Sequence, residues 1–247
     1  MANVALVTGV GRRIGIGAAV ADALRADSWT VATAGWRGYD ARMPWGAEVD
    51  AIADFEFDMA DPESPGALIT AVNAKLGPVR ALLSCHCESV DSGILNSTVE
   101  TLDRHYAVNL RSNLLLVQAF AAQFAEPVGP GFTEGRIVAI TSDALVGNVP
   151  YGTTKGALDR LILAAAVELA HLGITANVVN PGPTDNGWMN DDVRREVLAN
   201  NLQPTLGVSA DVARLVRFLC SDDGRWINRQ ILYSDGGLHR SSGSLNI

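Results

Sequence analysis

Short apolar runs alternate with longer stretches of helical periodicity along this chain of 247 residues. Seven runs have the length and apolar character of buried strands: residues 4–8, 30–34, 52–57, 81–84, 136–141, 175–180 and 230–233. Five helical patterns lie between them, at residues 15–26, 62–76, 99–124, 152–172 and 210–219. This alternation predicts right-handed crossovers and a parallel sheet with helices on both faces. Because no repeat or low-complexity linker interrupts the order, we predict a single α/β domain over residues 1–247.

A glycine-rich segment, residues 9–17, joins the first predicted strand to the first helical pattern. Glycines permit a tight turn and let a pyrophosphate approach the start of the helix, where free N–H groups and the helix dipole favour anions. This order of strand, loop and helix predicts a Rossmann-type, doubly wound parallel sheet with three layers, α/β/α, and a dinucleotide at the loop. The alternative is a glycine turn that packs the helix on the strand without any ligand.

Tyr151 and Lys155 lie four residues apart, with Ser142 shortly before them. On a helix, this spacing puts the phenol and the ammonium group on one face, one turn apart. A phenol ordinarily has a pKa of about 10, and a neighbouring cation lowers that pKa because it favours the phenolate. With the Ser142 hydroxyl to steady a carbonyl or alcohol oxygen, such a set can move a proton on or off a substrate. The alternative is an ordinary pair on a surface helix.

Together these segments resemble the short-chain dehydrogenase/reductase family, and the resemblance covers essentially the whole chain. The positions that match the family's motifs, in the family's order, are Thr8, Gly9, Gly15, Gly17, Asp58, Asn109, Ser142, Tyr151, Lys155, Asn180, Pro181, Gly182, Asp235, Gly236 and Gly237. The glycine loop is two residues longer than the family's pattern. The resemblance is to the single-domain, ketoacyl-ACP-reductase-like branch. It implies an oxidoreductase that reduces a ketone, or oxidises the matching secondary alcohol, by hydride transfer with a nicotinamide cofactor.

The resemblance also implies a role for each of four catalytic residues. Tyr151 would be the general acid/base, and Lys155 would lower the pKa of Tyr151 and bind the nicotinamide ribose. Ser142 would orient the substrate oxygen. Asn109 would shape the fourth helix and hold a water molecule that links Lys155 to solvent.

The predicted cofactor contacts come from the ends of several strands, where ligands bind in such folds. They are Gly9, Arg12, Arg13, Gly15, Ile16, Arg37, Asp58, Met59, Ser84, Tyr151, Lys155, Pro181, Gly182 and Thr184. By resemblance, Asp58 would contact the adenine. No acid ends the second strand, whereas Arg37 lies there and Arg12 and Arg13 lie in the loop. Because arginines pair with a 2′-phosphate, these residues favour NADP(H), and the nearby Asp40 keeps NAD(H) open.

Three departures from the family's pattern bear on the substrate site. Ser84-Cys85-His86-Cys87 replaces the usual Asn-Asn-Ala-Gly. We predict no metal there, since neighbouring residues on a strand point to opposite faces and four ligands at zinc spacing are absent, and we expect His86 to reach the cleft. The connection between Ser142 and Tyr151 is short, which predicts a more open site. Asn186 replaces a threonine that holds the carboxamide in the family, and Thr184 is expected to share that task.

Composition and charge limit the expected partners and cellular location of the protein. The formal net charge of −8 and the absence of a basic run argue against nucleic acid as a partner. No charged-then-apolar leader pattern and no bilayer-length apolar run occur, so we expect a cytoplasmic protein without a membrane partner. The three cysteines, Cys85, Cys87 and Cys220, are expected to be reduced thiols.

The remaining segments bear on the substrate lid and on the oligomeric state, and several substrate classes and functions stay open. Residues 36–50 read as a loop with room for a short helix, and residues 185–208 read, by resemblance, as a substrate lid. The apolar helices at 99–124 and 152–172 predict a homo-oligomer, a dimer or a tetramer. The expected substrate is a small carbonyl or alcohol. Two assignments within this class stay open: a ketoacyl thioester, and a sugar, cyclitol or polyketide of specialised metabolism. The competing class is a cofactor-binding sensor or scaffold without turnover; a dehydratase or epimerase is disfavoured because the chain has no added substrate domain.

Overall fold

Nine strands and eight α-helices are present in the computed structural model, which describes residues 3–124, 134–144 and 147–238. The strands are β1 (Val4–Thr8), β2 (Thr30–Gly35), β3 (Phe55–Glu56), β4 (Val79–Ser84), β5 (Gly135–Ile140), β6 (Ile174–Asn180), β7 (Thr184–Asp185), β8 (Gly207–Val208) and β9 (Ile231–Tyr233). Seven of them form one parallel sheet in the order β3-β2-β1-β4-β5-β6-β9, and β7 pairs with β8 outside it. The predicted doubly wound α/β sheet is confirmed.

The helices cover both faces of this sheet. They are α1 (Ile16–Ala26), α2 (Arg37–Arg42), α3 (Ser64–Leu76), α4 (Val99–Tyr106), α5 (Ser112–Ala121), α6 (Val149–Glu168), α7 (Asp191–Asn200) and α8 (Ser209–Cys220). On one face, α1 and α8 pack side chains such as Leu24 and Val216 against the sheet. On the other face, α3, α5 and α6 do so with Leu68, Phe120 and Ile162. The central strands are mostly apolar and buried because both of their faces are covered. None of the described helices combines the length and apolar character needed to span a bilayer.

The chain order reverses between β1 and β4, and this reversal positions the site. From β1 the chain moves outward to β2 and β3, and then returns to the opposite side of β1 as β4. Loops that leave β1 and β4 therefore diverge and open a crevice at the carboxyl ends of the strands, where ligands bind in open parallel sheets.

Two secondary-structure elements, the third strand and a helix in the lid region, differ from the sequence-based prediction. The third strand was predicted over residues 52–57 but forms only at Phe55–Glu56. The Asp54 carboxylate accepts hydrogen bonds from the Thr33 N–H (2.9 Å) and the Thr33 hydroxyl (2.8 Å), so a side chain takes the place of the ladder there. The lid region contains α7, which was not predicted, although Asn190 caps it and Asp191 lies in its first turn.

The predicted helix over residues 99–124 contains a π-helical turn, Ala107–Arg111, between α4 and α5. The Ser112 hydroxyl donates to the Val108 carbonyl (2.6 Å), and the Asn113 amide donates to the Asn109 carbonyl (2.9 Å) within this turn. Single π-helical turns occur frequently at functional sites because the extra residue redirects side chains. Here the turn carries Asn109, one of the four predicted catalytic residues.

Candidate active site

A cavity of about 1460 Å³ lies at the carboxyl ends of the strands. It exceeds the roughly 300–1,000 Å³ of a usual small-molecule pocket, so it has room for a dinucleotide and a second small molecule. The predicted residues that line it are Gly9, Arg12, Gly15, Ile16, Asp58, Met59, Ser142, Tyr151, Lys155, Pro181, Gly182 and Thr184. The fold therefore brings most of the predicted catalytic and cofactor residues to one space, although they are spread over the whole chain.

The glycine loop is shaped by close backbone contacts. A side-chain carbon at Gly9, where φ is +75°, would lie 2.5 Å from the backbone of Cys85 and His86. A side-chain carbon at Gly17 would lie 2.7 Å from the Gly9 carbonyl oxygen, so α1 packs directly on the loop. Because Gly15 precedes the first residue of α1 and lines the cavity, the free N–H groups of that helix end face the space.

These features fit a nicotinamide dinucleotide. The glycine cradle leaves room for a pyrophosphate at the start of α1. At the other end of the cavity, the Asn180 amide nitrogen is buried and has no hydrogen-bond partner among the described residues, while its carbonyl oxygen accepts from Gly182 N. A buried donor that faces a cavity without a partner is a suitable contact for a polar ligand group.

Ser142, Tyr151 and Lys155 meet on one wall of the cavity. Ser142 follows the end of β5, and α6 supplies the other two residues. The Asn148 side chain caps α6 by accepting a hydrogen bond from Tyr151 N (3.3 Å), which fixes the start of the helix. The Lys155 ammonium lies 5.7 Å from the centre of the Tyr151 ring and donates to the Ile140 carbonyl (2.7 Å) at the end of β5.

The protonation of Tyr151 differs from the sequence-based prediction. Burial raises the pKa of Tyr151, the nearby Cys87 raises it further, and a hydrogen bond with Ser142 lowers it. In this conformation the pKa of Tyr151 is therefore raised, not lowered as predicted from Lys155, because burial has the largest effect and the ammonium group donates to the Ile140 carbonyl. Burial also lowers the pKa of Lys155 itself. The phenol is thus kept protonated near neutral pH, which is the form that can give a proton to a substrate oxygen.

Asn109 is fully buried and lies behind the cavity wall rather than on it. Its side-chain oxygen accepts from Glu88 N (2.7 Å), and its amide donates to the Glu88 carbonyl (2.9 Å) and the Thr154 hydroxyl (3.0 Å). It therefore ties the loop after β4 to α6, next to Lys155. Its backbone carbonyl accepts a hydrogen bond from the Asn113 amide (2.9 Å).

The Ser84–Cys87 segment forms a buried polar network around His86. The Thr8 hydroxyl lies 2.7 Å from His86 Nδ1, and the Ser112 hydroxyl lies 2.8 Å from Nε2. Since Ser112 donates to the Val108 carbonyl, Nε2 carries the proton and Nδ1 accepts from Thr8 in the arrangement that satisfies every group. Burial, with the charge of Lys155, lowers the pKa of His86 to about 3, so the ring is neutral. The network joins β1 and β4 to the π-helical turn.

Ser84 lies behind the cavity, whereas Cys85 and Cys87 line it. The Ser84 hydroxyl is buried and donates to the Asn113 side chain, so the structure places this predicted cofactor residue behind the cavity. Burial raises the pKa of Cys85 to about 12 and also raises that of Cys87, which keeps both thiols protonated. Within the described part of the chain, no three His, Cys, Asp or Glu side chains are grouped as metal ligands.

Two of the three arginines predicted to bind a 2′-phosphate lie outside the cavity. Arg37 donates to the backbone carbonyls of Glu48 (3.1 Å) and Val49 (3.3 Å), and Arg13 lies 3.8 Å from the Glu48 carboxylate. Their place beside the second strand and in the glycine loop suggested otherwise, because position along the chain does not show that both side chains turn toward residues 48 and 49. Only Arg12, of these three, lines the cavity.

Arg12 is held by three segments. Its guanidinium lies 4.3 Å from the centre of the Trp45 ring and 3.8 Å from the Asp40 carboxylate, and it donates to the Asn186 side chain (3.4 Å). Asn186, which was predicted to replace a carboxamide contact, thus reaches the glycine loop. Thr184 is buried and donates to the Pro181 carbonyl (3.0 Å).

A second set of ion pairs closes the wall near Asp58. Arg104 binds both oxygens of Asp58 (2.9 and 3.0 Å) and lies 3.4 Å from the buried Glu88 carboxylate. Arg42 pairs with Glu88 (2.5 Å), and the ring of Trp36 lies 4.6 Å from the Arg104 guanidinium. Sequence reasoning missed Arg42, Glu88 and Arg104 because their pairing joins α2, the loop after β4 and α4, which are distant in sequence.

Several known proteins are similar to this chain in sequence or in fold. The sequence profile described as Enoyl-(Acyl carrier protein) reductase matches residues 9–239. The uncharacterized oxidoreductase YjdA of Bacillus subtilis (strain 168) is 32% identical over 250 residues, which cover 96% of this chain and 97% of that protein. L-2,3-butanediol dehydrogenase of Corynebacterium glutamicum is 30% identical over 262 residues, with coverage of 96% and 99%.

A solved structure supports the same relationship. The crystal structure of a blue fluorescent protein from a metagenomic library, in complex with NADPH, matches with a TM-score of 0.79 and 27% identity, and covers 96% of this chain and 97% of that one. The family profile spans most of the chain, and the relatives align over nearly their full lengths. The chain therefore belongs to the short-chain dehydrogenase/reductase family of oxidoreductases.

Proposed function

We propose that this protein interconverts a ketone and its secondary alcohol with a nicotinamide dinucleotide, and that Tyr151 is the general acid/base. The observation that carries the proposal is the meeting of Ser142, Tyr151 and Lys155 on the wall of the cavity into which the glycine cradle opens. Proton-transfer groups and a dinucleotide cradle in one space are what carbonyl reduction requires.

The bound cofactor would supply or accept the hydride at the substrate carbon. The chain's own task is to handle the oxygen. Ser142 and Tyr151 would hold the substrate oxygen between their hydroxyl groups, and in the reductive direction Tyr151 would donate its proton to that oxygen. Lys155, whose ammonium lies 5.7 Å from the Tyr151 ring, would stabilise the phenolate that this donation leaves. In the oxidative direction the same phenolate would accept the alcohol proton.

Two features bear on the cofactor's 2′-phosphate. NADP(H) is supported by Arg12 and by the NADPH in the similar solved structure. Arg13 and Arg37, however, are directed to Glu48 and to backbone carbonyls, and Arg12 is paired with Asp40. We therefore propose a nicotinamide dinucleotide as the cofactor class.

Substrate and assembly belong to the same proposal. The family and the names of the relatives support a small carbonyl or alcohol substrate, and we propose that the segment from β7 to β8 is its lid. Exposed apolar side chains on α4, Val99 (70%), Leu102 (46%) and Tyr106 (48%), support a homo-oligomer, which sedimentation of the wild type and of Leu102→Glu would test. Free thiols at the described cysteines suit a cytoplasmic protein.

Tyr151→Phe tests the function. We expect it to lower kcat by about 10² to 10⁴ on whichever ketone of a panel the wild type reduces, measured from the absorbance of the reduced cofactor, because it removes the proton and keeps the ring. Cofactor binding, followed by nicotinamide fluorescence, should persist. Thr153→Val is the matched control, since it removes an exposed hydroxyl from the same helix, and it should leave kcat unchanged.

Two results would contradict the proposal. If Tyr151→Phe kept wild-type turnover, Tyr151 would not be the acid/base. If the wild type bound the cofactor but turned over no ketone or alcohol on a broad panel, the competing role of a cofactor-binding sensor would be favoured.

A further inference from the structure

Asp40 reaches back from α2 to the glycine loop. This residue is 6% exposed, and its Oδ1 accepts a hydrogen bond from the Trp45 indole N–H (2.9 Å). Its other oxygen, Oδ2, lies against Gly11, and a side-chain carbon at that glycine would collide with it. Both residues line the cavity. A carboxylate is therefore built into the cavity wall at the first turn between strand and helix, held by Trp45 and beside Arg12.

This position is the one at which dinucleotide folds recognise the adenosine ribose. In such folds an acid that follows the second strand bonds the ribose hydroxyls beside the glycine turn. Here the residue directly after β2 is Trp36, which carries no carboxylate. Asp40 lies one helical turn later, and the short helix α2 returns its carboxylate to the glycine loop. The chain thus supplies the acid from a helix rather than from the strand end.

The surrounding charges favour hydroxyl groups over a phosphate. Arg12 is 3.8 Å from Asp40, so its charge is already opposed by a carboxylate. Arg13 is opposed by Glu48, and Arg37 is bound to the carbonyls of residues 48 and 49 outside the cavity. A 2′-phosphate beside Asp40 would bring two negative groups together in a partly buried wall, whereas ribose hydroxyls would donate to the carboxylate.

We propose that Asp40 determines the choice of cofactor and makes the protein prefer NAD(H) to NADP(H). This inference rests on the proposed function, because it requires the cavity to bind a nicotinamide dinucleotide. It also replaces the preference for NADP(H) that the three arginines suggested in the sequence.

The test compares the binding of NAD⁺ and NADP⁺ to the full-length protein by isothermal titration calorimetry, which does not depend on turnover. The wild type should bind NAD⁺ at least about tenfold more tightly than NADP⁺. Asp40→Asn should weaken NAD⁺ binding and strengthen NADP⁺ binding, so that the ratio of the two affinities falls by about tenfold or more. Asp40→Ser, which is smaller, should shift the ratio in the same direction.

Asp22→Asn is the matched control, since it makes the same change at an exposed acid of α1 that lies outside the cavity, and it should leave the affinity ratio unchanged. ADP-ribose and its 2′-phosphorylated form serve as probes without the nicotinamide, and they should show the same ratio as the full cofactors.

The outcomes separate the two proposals. Equal affinities in the wild type, or tighter binding of NADP⁺, would overturn the role of Asp40 while the proposed oxidoreductase function stands. An Asp40→Asn or Asp40→Ser variant that binds a dinucleotide with the wild-type ratio would do the same. Because the wild-type ratio needs no variant, poor folding of either variant leaves a decisive measurement. Binding of neither dinucleotide would overturn the proposed function, and this inference with it.

Discussion

The two ends of the cavity differ in how their ionisable side chains are stabilised. At the end near α2 and α4, opposite charges are paired: Arg12 lies beside Asp40, and Arg104 lies beside Asp58. At the end near α6, burial pushes ionisable groups toward their neutral forms, since it raises the pKa of Tyr151 and lowers those of Lys155 and His86. One end is therefore stabilised by pairing, and the other holds groups whose proton is costly to move in the free protein.

This difference suits two separate tasks. Paired charges fix the shapes of α2, α4 and the loops between them, which form the wall where a nucleotide would be recognised. Buried groups without a counter-ion respond strongly to any new charge beside them, as proton-transfer groups must. The neutral network around His86 joins the two ends, because it connects the start of the glycine loop to the π-helical turn.

The contact between the two ends gives the largest expected effect. Gly9→Ala should lower the free energy of unfolding by about 3 kcal/mol or more, because φ is positive and the added carbon meets the backbone after β4. Gly46→Ala is a matched control, since its φ of +70° is similar and no atom lies within 4 Å of the added carbon. It should lose only about 1 kcal/mol from backbone strain. Urea unfolding measures both, and equal losses would mean that the contact at Gly9 contributes nothing.

Breaking the paired end should have the next largest effect. Arg104→Met should cost about 1–3 kcal/mol of unfolding free energy, because it leaves Glu88 buried with one fewer partner and Asp58 without its bidentate arginine. Adding Glu88→Gln to Arg104→Met should cost less than the sum of the single changes. Strict additivity in this double-mutant cycle would contradict the coupling. Arg214→Met, in an exposed pair with Asp211, should change stability little.

The lowered pKa of the buried His86 should make the stability of the protein depend on pH. The pKa of His86 in the fold is about 3, below its ordinary value of about 6.5. As the pH falls below about 6.5, the unfolded chain gains a proton that the folded protein does not, so the stability decreases by up to about 1.4 kcal/mol per pH unit until the pH nears the folded value. Above that range the contribution of His86 is constant.

His86→Gln should remove this slope between pH 6.5 and the folded pKa of about 3, measured as unfolding free energy against pH. His171→Gln, which changes an exposed histidine, should keep the slope of the wild type. A wild-type slope in His86→Gln would show that other groups cause the acid sensitivity.

Much of the fold could be predicted from the sequence because its signals are local. Apolar runs of strand length gave six of the seven sheet strands to within two residues, and a glycine loop before a helix marked the first βα unit. The bounds of the third strand and the presence of the π-helical turn could not be predicted. The first is shortened by the side chain of Asp54, and the second depends on hydrogen bonds of Ser112 and Asn113.

The positions of Tyr151 and Lys155 were easier to predict than those of Arg13 and Arg37, for a similar reason. Tyr151 and Lys155 share one helix, so their spacing nearly fixes their geometry. Arg13 and Arg37 were assigned by position along the chain, but their exposed side chains turn toward residues 48 and 49 in the loop that precedes β3.

The sequence by itself determined the class of fold and the family, and it indicated the proton-transfer set that we propose, because these depend on periodicity, local motifs and their order. Tertiary structure decided which charges face the cavity and which are already paired, and how burial shifts the pKa of Tyr151. Those outcomes depend on contacts between segments far apart in the chain, such as Asp40 with Gly11 and Arg104 with Asp58. Pairing and desolvation act through distance in space, which the order of residues does not specify.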